Sequence, residues 1–167
     1  METIKIKGQI SQADYVKAQF LHLKPRPLFK VTGMIIGSFM FFVGLVNLTN
    51  YFAGNLPLQT ALFVPGFATL IFGYFIFLRW QFQKSYQNYK AIQVPIEVEI
   101  NNIGFFGQST FGESKLPWEL FRTYKENKEL FLLYQTVNLF HVLPKRLFCD
   151  AEQIETAKNI FNESISK

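Results

Sequence analysis

Val31-Thr-Gly-Met-Ile-Ile-Gly-Ser-Phe-Met-Phe-Phe-Val-Gly-Leu-Val46 and Thr60-Ala-Leu-Phe-Val-Pro-Gly-Phe-Ala-Thr-Leu-Ile-Phe-Gly-Tyr-Phe-Ile-Phe-Leu78 are the two runs that decide the fold. No Asp, Glu, Lys or Arg occurs between residues 31 and 78. Each run extends to about twenty residues, which at ~1.5 Å of helical rise per residue crosses a hydrocarbon core of roughly 30 Å. The intervening segment 48–57 contains Asn, Gly and Pro, which favour turns. The sequence therefore predicts a transmembrane helical hairpin over residues 31–78.

The alternative is a buried helical hairpin inside a soluble core. A soluble domain of this length would expose one face of each helix to water, yet neither run has a polar face. The composition therefore favours membrane insertion.

Basic residues flank the predicted hairpin, whereas its connecting loop has none. Because basic residues are enriched on the cytoplasmic side, we expect both termini to be cytoplasmic. The same residues are candidate contacts for anionic lipid or for a protein partner, and the set comprises Lys24, Arg26, Lys30 and Arg79.

Glycines recur along both runs, at spacings of four and seven residues. Small residues on one helix face allow helix backbones to approach closely. The pattern favours packing of the two glycine faces on each other within the hairpin, and the alternative is a dimerisation face built on residues 33–37. The candidate packing residues are Gly33, Gly37, Gly44, Gly66 and Gly73.

The segment before the hairpin, residues 1–30, begins with alternating apolar residues typical of a half-buried strand. Ser11-Gln-Ala-Asp14 resembles a capping box and predicts an amphipathic helix that ends before Pro25. Residues 79–92 are polar and aromatic without Gly or Pro, and we interpret them as a helical extension or linker. The sequence leaves open whether the N-terminal strand joins a sheet formed by the C-terminal part.

Residues 93–167 form the predicted soluble domain. Alternation of Ile96, Val98 and Ile100 with polar residues indicates a strand. Further short strands are predicted over residues 105–111, 114–118, 120–125, 130–135 and 139–143. Asp150 and Gln153 then begin an amphipathic helix with an apolar stripe. The prediction is a membrane α+β protein in which a small antiparallel-sheet domain is closed by a C-terminal helix.

The chain carries 17 Lys and Arg against 12 Asp and Glu. Most of this basic excess lies beside the hairpin, where topology and anionic headgroups account for it. We therefore do not expect nucleic-acid binding.

The search for catalytic residues yields no arrangement that points to an enzyme. His22 and His141 have no Cys, Asp or Glu at metal-ligand spacing, and Cys149, the single cysteine, has no base placed beside it. Glu97 and Glu99 share the polar face of a strand, which is typical of a solvated face. We expect no catalytic residues, no metal and no cofactor.

Two features of the C-terminal domain are candidate contacts. The pattern at Lys145 and Arg146, after Pro144, favours a solvated turn between the last strand and the helix, and the alternative is that they bind anionic headgroups or an acidic partner. Trp118 is interpreted as a core anchor of the sheet, with a binding-site aromatic as the alternative.

The segments Leu116-Pro-Trp118-Glu-Leu-Phe-Arg-Thr-Tyr, Leu130-Phe-Leu-Leu-Tyr134 and Leu143-Pro-Lys-Arg-Leu-Phe148, followed by a terminal helix, resemble the YcxB-like family of bacterial membrane proteins. The resemblance implies a hydrophobic hairpin ahead of a C-terminal domain similar to pleckstrin-homology-like folds. It implies no activity, because a fold does not determine a function. The chain departs from many members after the tryptophan, where it has Glu119 and Leu120.

These observations predict a multi-pass protein of the bacterial inner membrane, or an equivalent energy-transducing membrane, with both termini cytoplasmic. We expect a non-catalytic interaction module or accessory subunit that contacts the lipid bilayer and a protein partner or larger membrane complex. Homo-oligomers are compatible with the sequence. The alternative function is a membrane-surface module that binds anionic lipids.

Overall fold

A computed structural model describes residues 3–24 and 27–165, with the backbone alone described for residues 27–30 and 64. The helices and strands of this part of the chain are β1 (Ile4–Gly8), α1 (Gln12–Leu23), α2 (Pro27–Phe52), α3 (Leu58–Asn88), β2 (Ile96–Ile100), β3 (Gly104–Ser109), β4 (Gly112–Pro117), β5 (Thr123–Glu126), β6 (Leu130–Tyr134), β7 (Phe140–Pro144) and α4 (Ala151–Ile165). They form two compact units. One comprises the chain up to Leu23 and from Phe82 onward, and the other is Lys24–Gln81.

The unit Lys24–Gln81 consists of two apolar helices. Both are long and apolar enough to cross a membrane, over Val31–Phe52 and Leu58–Asn88. The helix α3 continues ten residues beyond the end of the second apolar run at Leu78. Neither Gly nor Pro interrupts this extension, which is why the helix persists.

The other unit contains a four-stranded antiparallel sheet in the order β1-β2-β3-β4. The N-terminal strand joins this sheet, which the sequence had left open. Ile6 lies opposite Val98, and Lys5 and Lys7 lie opposite Glu99 and Glu97. Because side chains alternate across a strand, the apolar residues face the core and the lysines pair with the glutamates on the outer face.

A second antiparallel sheet has the order β5-β6-β7, and its central strand is buried on both faces. Phe131 and Leu133 face the core shared with the first sheet and α4. Leu130, Leu132 and Tyr134 face a second core beneath α1. Burial on both faces explains why this strand has five consecutive apolar residues instead of an alternating pattern.

The helix α1 begins as the sequence predicts. The Asp14 amide donates to Ser11 Oγ at 3.1 Å, and the Ser11 amide donates to Asp14 Oδ2 at 2.9 Å. The apolar face differs from the predicted one at its end, since Leu23 is 51% exposed. Ala18 and Leu21 are the residues buried against the second sheet.

The C-terminal helix α4 closes the main core. The Gln153 amide donates to Asp150 Oδ1 at 2.8 Å, which confirms Asp150 as the N-cap. Ala157, Phe161 and Ile165 are buried, in agreement with the predicted stripe.

Two strand boundaries differ from the prediction. The chain turns at Thr110 and Phe111, so β3 ends at Ser109 and not at Phe111. Residues Trp118–Leu120 form a 3-10 turn, so the next strand begins only at Thr123.

The strands β3 and β4 approach each other closely at Gly104. A Cβ at this position would collide with the backbone carbonyl of Leu116, so the approach requires glycine.

The alternation along β3 predicts opposite effects for two adjacent phenylalanines. Phe105 is buried in the core, whereas Phe106 lies on the outer face. We expect Phe105→Ala to lower the free energy of unfolding by about 3–5 kcal/mol through loss of buried area and cavity formation. Phe106→Ala is the matched control, with an expected loss below about 1 kcal/mol. Denaturant unfolding of the full chain in detergent, followed by tryptophan fluorescence, measures both, and equal losses would contradict the assigned strand faces.

Candidate functional site

The residues Lys145 and Arg146 occupy a 3-10 turn, Lys145–Leu147, between β7 and α4. The Lys145 amide donates to the Glu129 carbonyl at 2.8 Å, which fixes this turn against the start of β6. The turn therefore presents both basic side chains from a backbone held by the second sheet.

Arg146 forms an ion pair with Asp14 of α1, with 2.6 Å between Nη2 and Oδ2. Arg146 Nε donates to the same oxygen at 3.1 Å, and Nη2 also donates to the Gln9 carbonyl at 2.7 Å. Asp14 is only 8% exposed and also accepts a hydrogen bond from Ser11 Oγ at 2.7 Å. This network joins α1 to the turn before α4, across 132 residues of sequence.

Lys145 is also paired. Its Nζ lies 3.1 Å from Glu126 Oε2 and 4.4 Å from the centre of the Phe131 ring. Lys158 of α4 reaches the other oxygen of Glu126 at 3.3 Å. Glu126 thus pairs with two lysines from different elements, and the Lys145 ammonium is largely withdrawn from solvent.

Hydrogen bonds lower the pKa of the Asp14 and Glu126 carboxyls. Burial acts to raise the pKa of Asp14, but hydrogen bonds from Arg146 and Ser11 outweigh it, so this pKa lies below its ordinary value. Burial likewise acts to raise the pKa of Glu126, and hydrogen bonds from Lys145 and Lys158 lower it overall. Both groups are therefore carboxylates at neutral pH.

Arg146 is half exposed, and it borders an open groove of about 670 Å³. The groove is bounded by the end of β1, the start of α1 and the end of α3. Its lining consists of Lys7, Gly8, Gln9, Ser11, Gln12, Tyr86, Arg146 and Leu147. The outer edge of the guanidinium and the Lys7 ammonium suit a carboxylate or another anionic group. We call this feature the Arg146 groove.

The flanking basic residues predicted as contacts belong to a different unit from the Arg146 groove. Lys24 and Arg79 are exposed and belong to the unit of the two apolar helices. Arg26 lies outside the described residues, and for Lys30 the backbone alone is described, within α2. Their role as lipid or partner contacts stays a prediction.

The glycines of the apolar helices lie within α2 and α3. A Cβ added at Gly33, Gly37, Gly66 or Gly73 would meet nothing within 4 Å. Packing of the two glycine faces on each other within the hairpin stays a prediction. Gly44 also lies in α2, and the dimerisation alternative at residues 33–37 stays a prediction.

Trp118 is a core anchor, as the sequence indicated. It is 4% exposed, and its Nε1 donates to the Asn101 carbonyl at 2.8 Å. Its ring contacts Phe121 and Phe161, with centroid distances of 5.5 and 5.6 Å. The indole thus ties the turn after β2 to α4 and is not available as a binding surface.

The histidines serve packing. His22 stacks on Phe140 at 5.0 Å, and its Nδ1 lies 3.2 Å from the Tyr134 hydroxyl. Burial and the nearby Lys125 lower the pKa of His22, and burial lowers the pKa of His141. Within residues 3–24 and 27–165, no group of three His, Cys, Asp or Glu is placed to hold a metal ion.

Residues 100–161 match the family model described as YcxB-like protein. The C-terminal part of the chain is a YcxB-like domain. The match covers β3 to β7, the turn bearing Lys145 and Arg146, and most of α4. No curated protein and no solved structure matches the chain. The strands β1 and β2 complete the sheet of the YcxB-like domain, although β1 lies far from it in sequence.

Sequence reasoning missed Asp14 as the partner of Arg146. It interpreted Asp14 only as a capping residue, and that role is correct but incomplete. No local signal predicts this second role, because any capping carboxylate has lone pairs left for a further donor, and Asp14 Oδ2 accepts from both Ser11 and Arg146. The identity of that donor depends on the tertiary fold.

The lowered pKa of Asp14 predicts a pH-dependent contribution to stability. The carboxylate stabilises the fold above its unfolded-state pKa of about 3.9, and this contribution is lost as the pH falls through the lower folded-state pKa. We expect Asp14→Asn to lower the free energy of unfolding by about 1–3 kcal/mol at pH 7. The difference from the natural chain should shrink below about pH 4, as denaturant titrations at several pH values would measure.

Glu113→Gln provides the control. Glu113 is exposed, and within the described part of the chain its carboxylate accepts one hydrogen bond, from Gln108 Nε2 at 3.3 Å. We expect this substitution to change the free energy of unfolding by less than about 0.5 kcal/mol at every pH. An Asp14→Asn deficit that stays constant down to about pH 2 would assign the effect to packing and not to the carboxylate charge.

Proposed function

We propose that this chain is an integral protein of the bacterial inner membrane, with α2 and α3 spanning the bilayer and both termini in the cytoplasm. The support is the exposure of two long apolar helices, since almost none of the most apolar window of either helix is buried within the chain. In water this surface would be costly, whereas lipid tails solvate it. The basic flanks and the uncharged connecting loop support the orientation.

We propose further that the unit containing the YcxB-like domain has a pleckstrin-homology-like architecture. The support is a four-stranded and a three-stranded antiparallel sheet followed by a terminal helix, in keeping with the antiparallel-sheet domain closed by a helix that the sequence predicts. The hairpin is inserted between β1 and β2 of the first sheet.

The function that this geometry supports best is a non-catalytic interaction module, acting as a regulatory or accessory subunit for a protein partner. The observation that carries the proposal is the pairing of Lys145 and Arg146 with Glu126 and Asp14, together with the open Arg146 groove. A half-exposed guanidinium in a shaped polar groove is suited to an acidic side chain of a partner.

The anionic-lipid alternative is less favoured by the same contacts. Headgroup binding benefits from several cations without competing carboxylates, because their attractions to the surface add together. Here Lys145 and Arg146 are each paired with a carboxylate inside their own unit, so only one guanidinium edge is left, which suits a single acidic group better than a charged surface.

The single cysteine gives a test of the membrane topology. Cys149 is exposed beside α4 and belongs to the unit proposed to be cytoplasmic. We expect a membrane-impermeant maleimide to label it in inverted inner-membrane vesicles and not in intact spheroplasts. In a Cys149→Ser background, Asn55→Cys in the connecting loop should show the reverse pattern. Labelling of Cys149 in intact spheroplasts would contradict the cytoplasmic assignment.

A matched pair of lysines tests the partner proposal. Lys5 and Lys7 are both exposed on β1 and both face a glutamate, but only Lys7 lines the Arg146 groove. With the full chain tagged after Lys167 and extracted in mild detergent, we expect a stoichiometric protein companion identified by mass spectrometry. Lys7→Glu should reduce its recovery about tenfold, equivalent to about 1.4 kcal/mol, whereas Lys5→Glu should retain it. Recovery of the protein without a companion, together with enriched acidic lipid, would favour the lipid alternative.

A further inference from the structure

The loop between β6 and β7 exposes apolar side chains. Val137 is 72% exposed and Leu139 is 53% exposed. No Asp, Glu, Lys or Arg occurs between Glu129 and Lys145. We call residues 135–139 the apolar loop.

Three backbone amides of the apolar loop are paired within the loop itself. The amides of Gln135 and Thr136 donate to the Leu139 carbonyl at 3.0 and 3.3 Å. The Leu139 amide donates to Thr136 Oγ1 at 3.1 Å. Because these groups already have partners, moving the loop into a less polar medium costs less than it would for an open loop.

The apolar loop lies at the end of its unit where the chain departs for the apolar helices. His22, near the end of α1, stacks on Phe140 directly after the loop. Leu23 follows and is exposed. The returning chain reaches the same end, since Phe82 packs on Phe20 with a centroid distance of 5.4 Å. Both covalent connections to the unit Lys24–Gln81 therefore leave from this end.

The opposite end of the second sheet has a different composition. The turn between β5 and β6 contains Lys128 and Glu129, and Glu129 pairs with Lys17 at 2.6 Å. The two ends of β6 thus differ in polarity, with a charged turn at one end and exposed Val and Leu beside Arg122 at the other. Such a gradient is expected for a domain whose ends face two different media.

We propose that the apolar loop inserts into the interfacial region of the bilayer and anchors the soluble unit on the lipid surface. The proposal rests on the membrane insertion of α2 and α3 given above. Two exposed apolar side chains are too small a surface for a stable protein interface, which needs about 800 Å² per partner. They are sufficient for shallow insertion, because tethering by the hairpin keeps the loop at a high effective concentration near the bilayer.

The test uses the full chain in lipid nanodiscs with single-cysteine variants in a Cys149→Ser background. Val137→Cys carries an environment-sensitive fluorophore on the apolar loop. Lys128→Cys carries it on the exposed charged turn of the same sheet, as the matched control. Phe41→Cys, on the exposed surface of α2, reports insertion of the hairpin. Nanodiscs with and without nitroxide-labelled phosphatidylcholine give the quenching at each position.

We expect strong quenching at Phe41 and little quenching at Lys128. At Val137 we expect the loss of about half the fluorescence, as for a probe about 5–10 Å into the interface. Quenching at Phe41 with equal, weak quenching at Val137 and Lys128 would overturn the loop anchor while leaving the spanning hairpin intact. Absence of quenching at Phe41 would overturn both. A Val137 probe that is shielded from water but not quenched by the lipid nitroxide would assign the loop to a protein contact and would also overturn the lipid anchor.

Discussion

The pairing of β1 with β2 is the constraint on which the unit of the two sheets depends. These strands are separated by α1 and by both apolar helices, yet five residues of each align in an antiparallel register. Without β1 the first sheet would lose an edge strand that contributes Ile4 and Ile6 to the main core. Pairing β1 with β2 costs loop-closure entropy, and this cost grows with the length of the intervening chain. Burial of apolar residues on the inner face and lysine–glutamate pairs on the outer face offset this cost.

The ion pair between Asp14 and Arg146 reinforces the same closure just beyond the end of β1, where Arg146 also donates to the Gln9 carbonyl. It connects the helix that follows β1 with the turn that precedes α4. A buried carboxylate is stable here because Ser11 and Arg146 together supply the hydrogen bonds that water would otherwise make. The main role of the ion pair is therefore structural, and only the outer edge of the guanidinium is available to a partner.

Placing α1 over the second sheet has a further effect. It covers the face of β6 that would otherwise be open, so one strand contributes to two cores. The same helix brings His22 to the end of the sheet where the apolar loop begins. The N-terminal segment thus acts as part of the YcxB-like domain although it precedes the hairpin.

The sequence by itself determined the elements whose signals are local. A charge-free run of this length identifies two apolar helices, alternation identifies β2, and Ser11 and Asp150 identify helix starts, because each signal depends on residues a few positions apart. Only the tertiary structure decided the partners of these elements. The pairing of β1, the neutralisation of Arg146 by Asp14 and the two-sided burial of β6 each join residues distant in sequence. Such contacts depend on how the sheets and helices pack together, and no local pattern in one sequence encodes that packing.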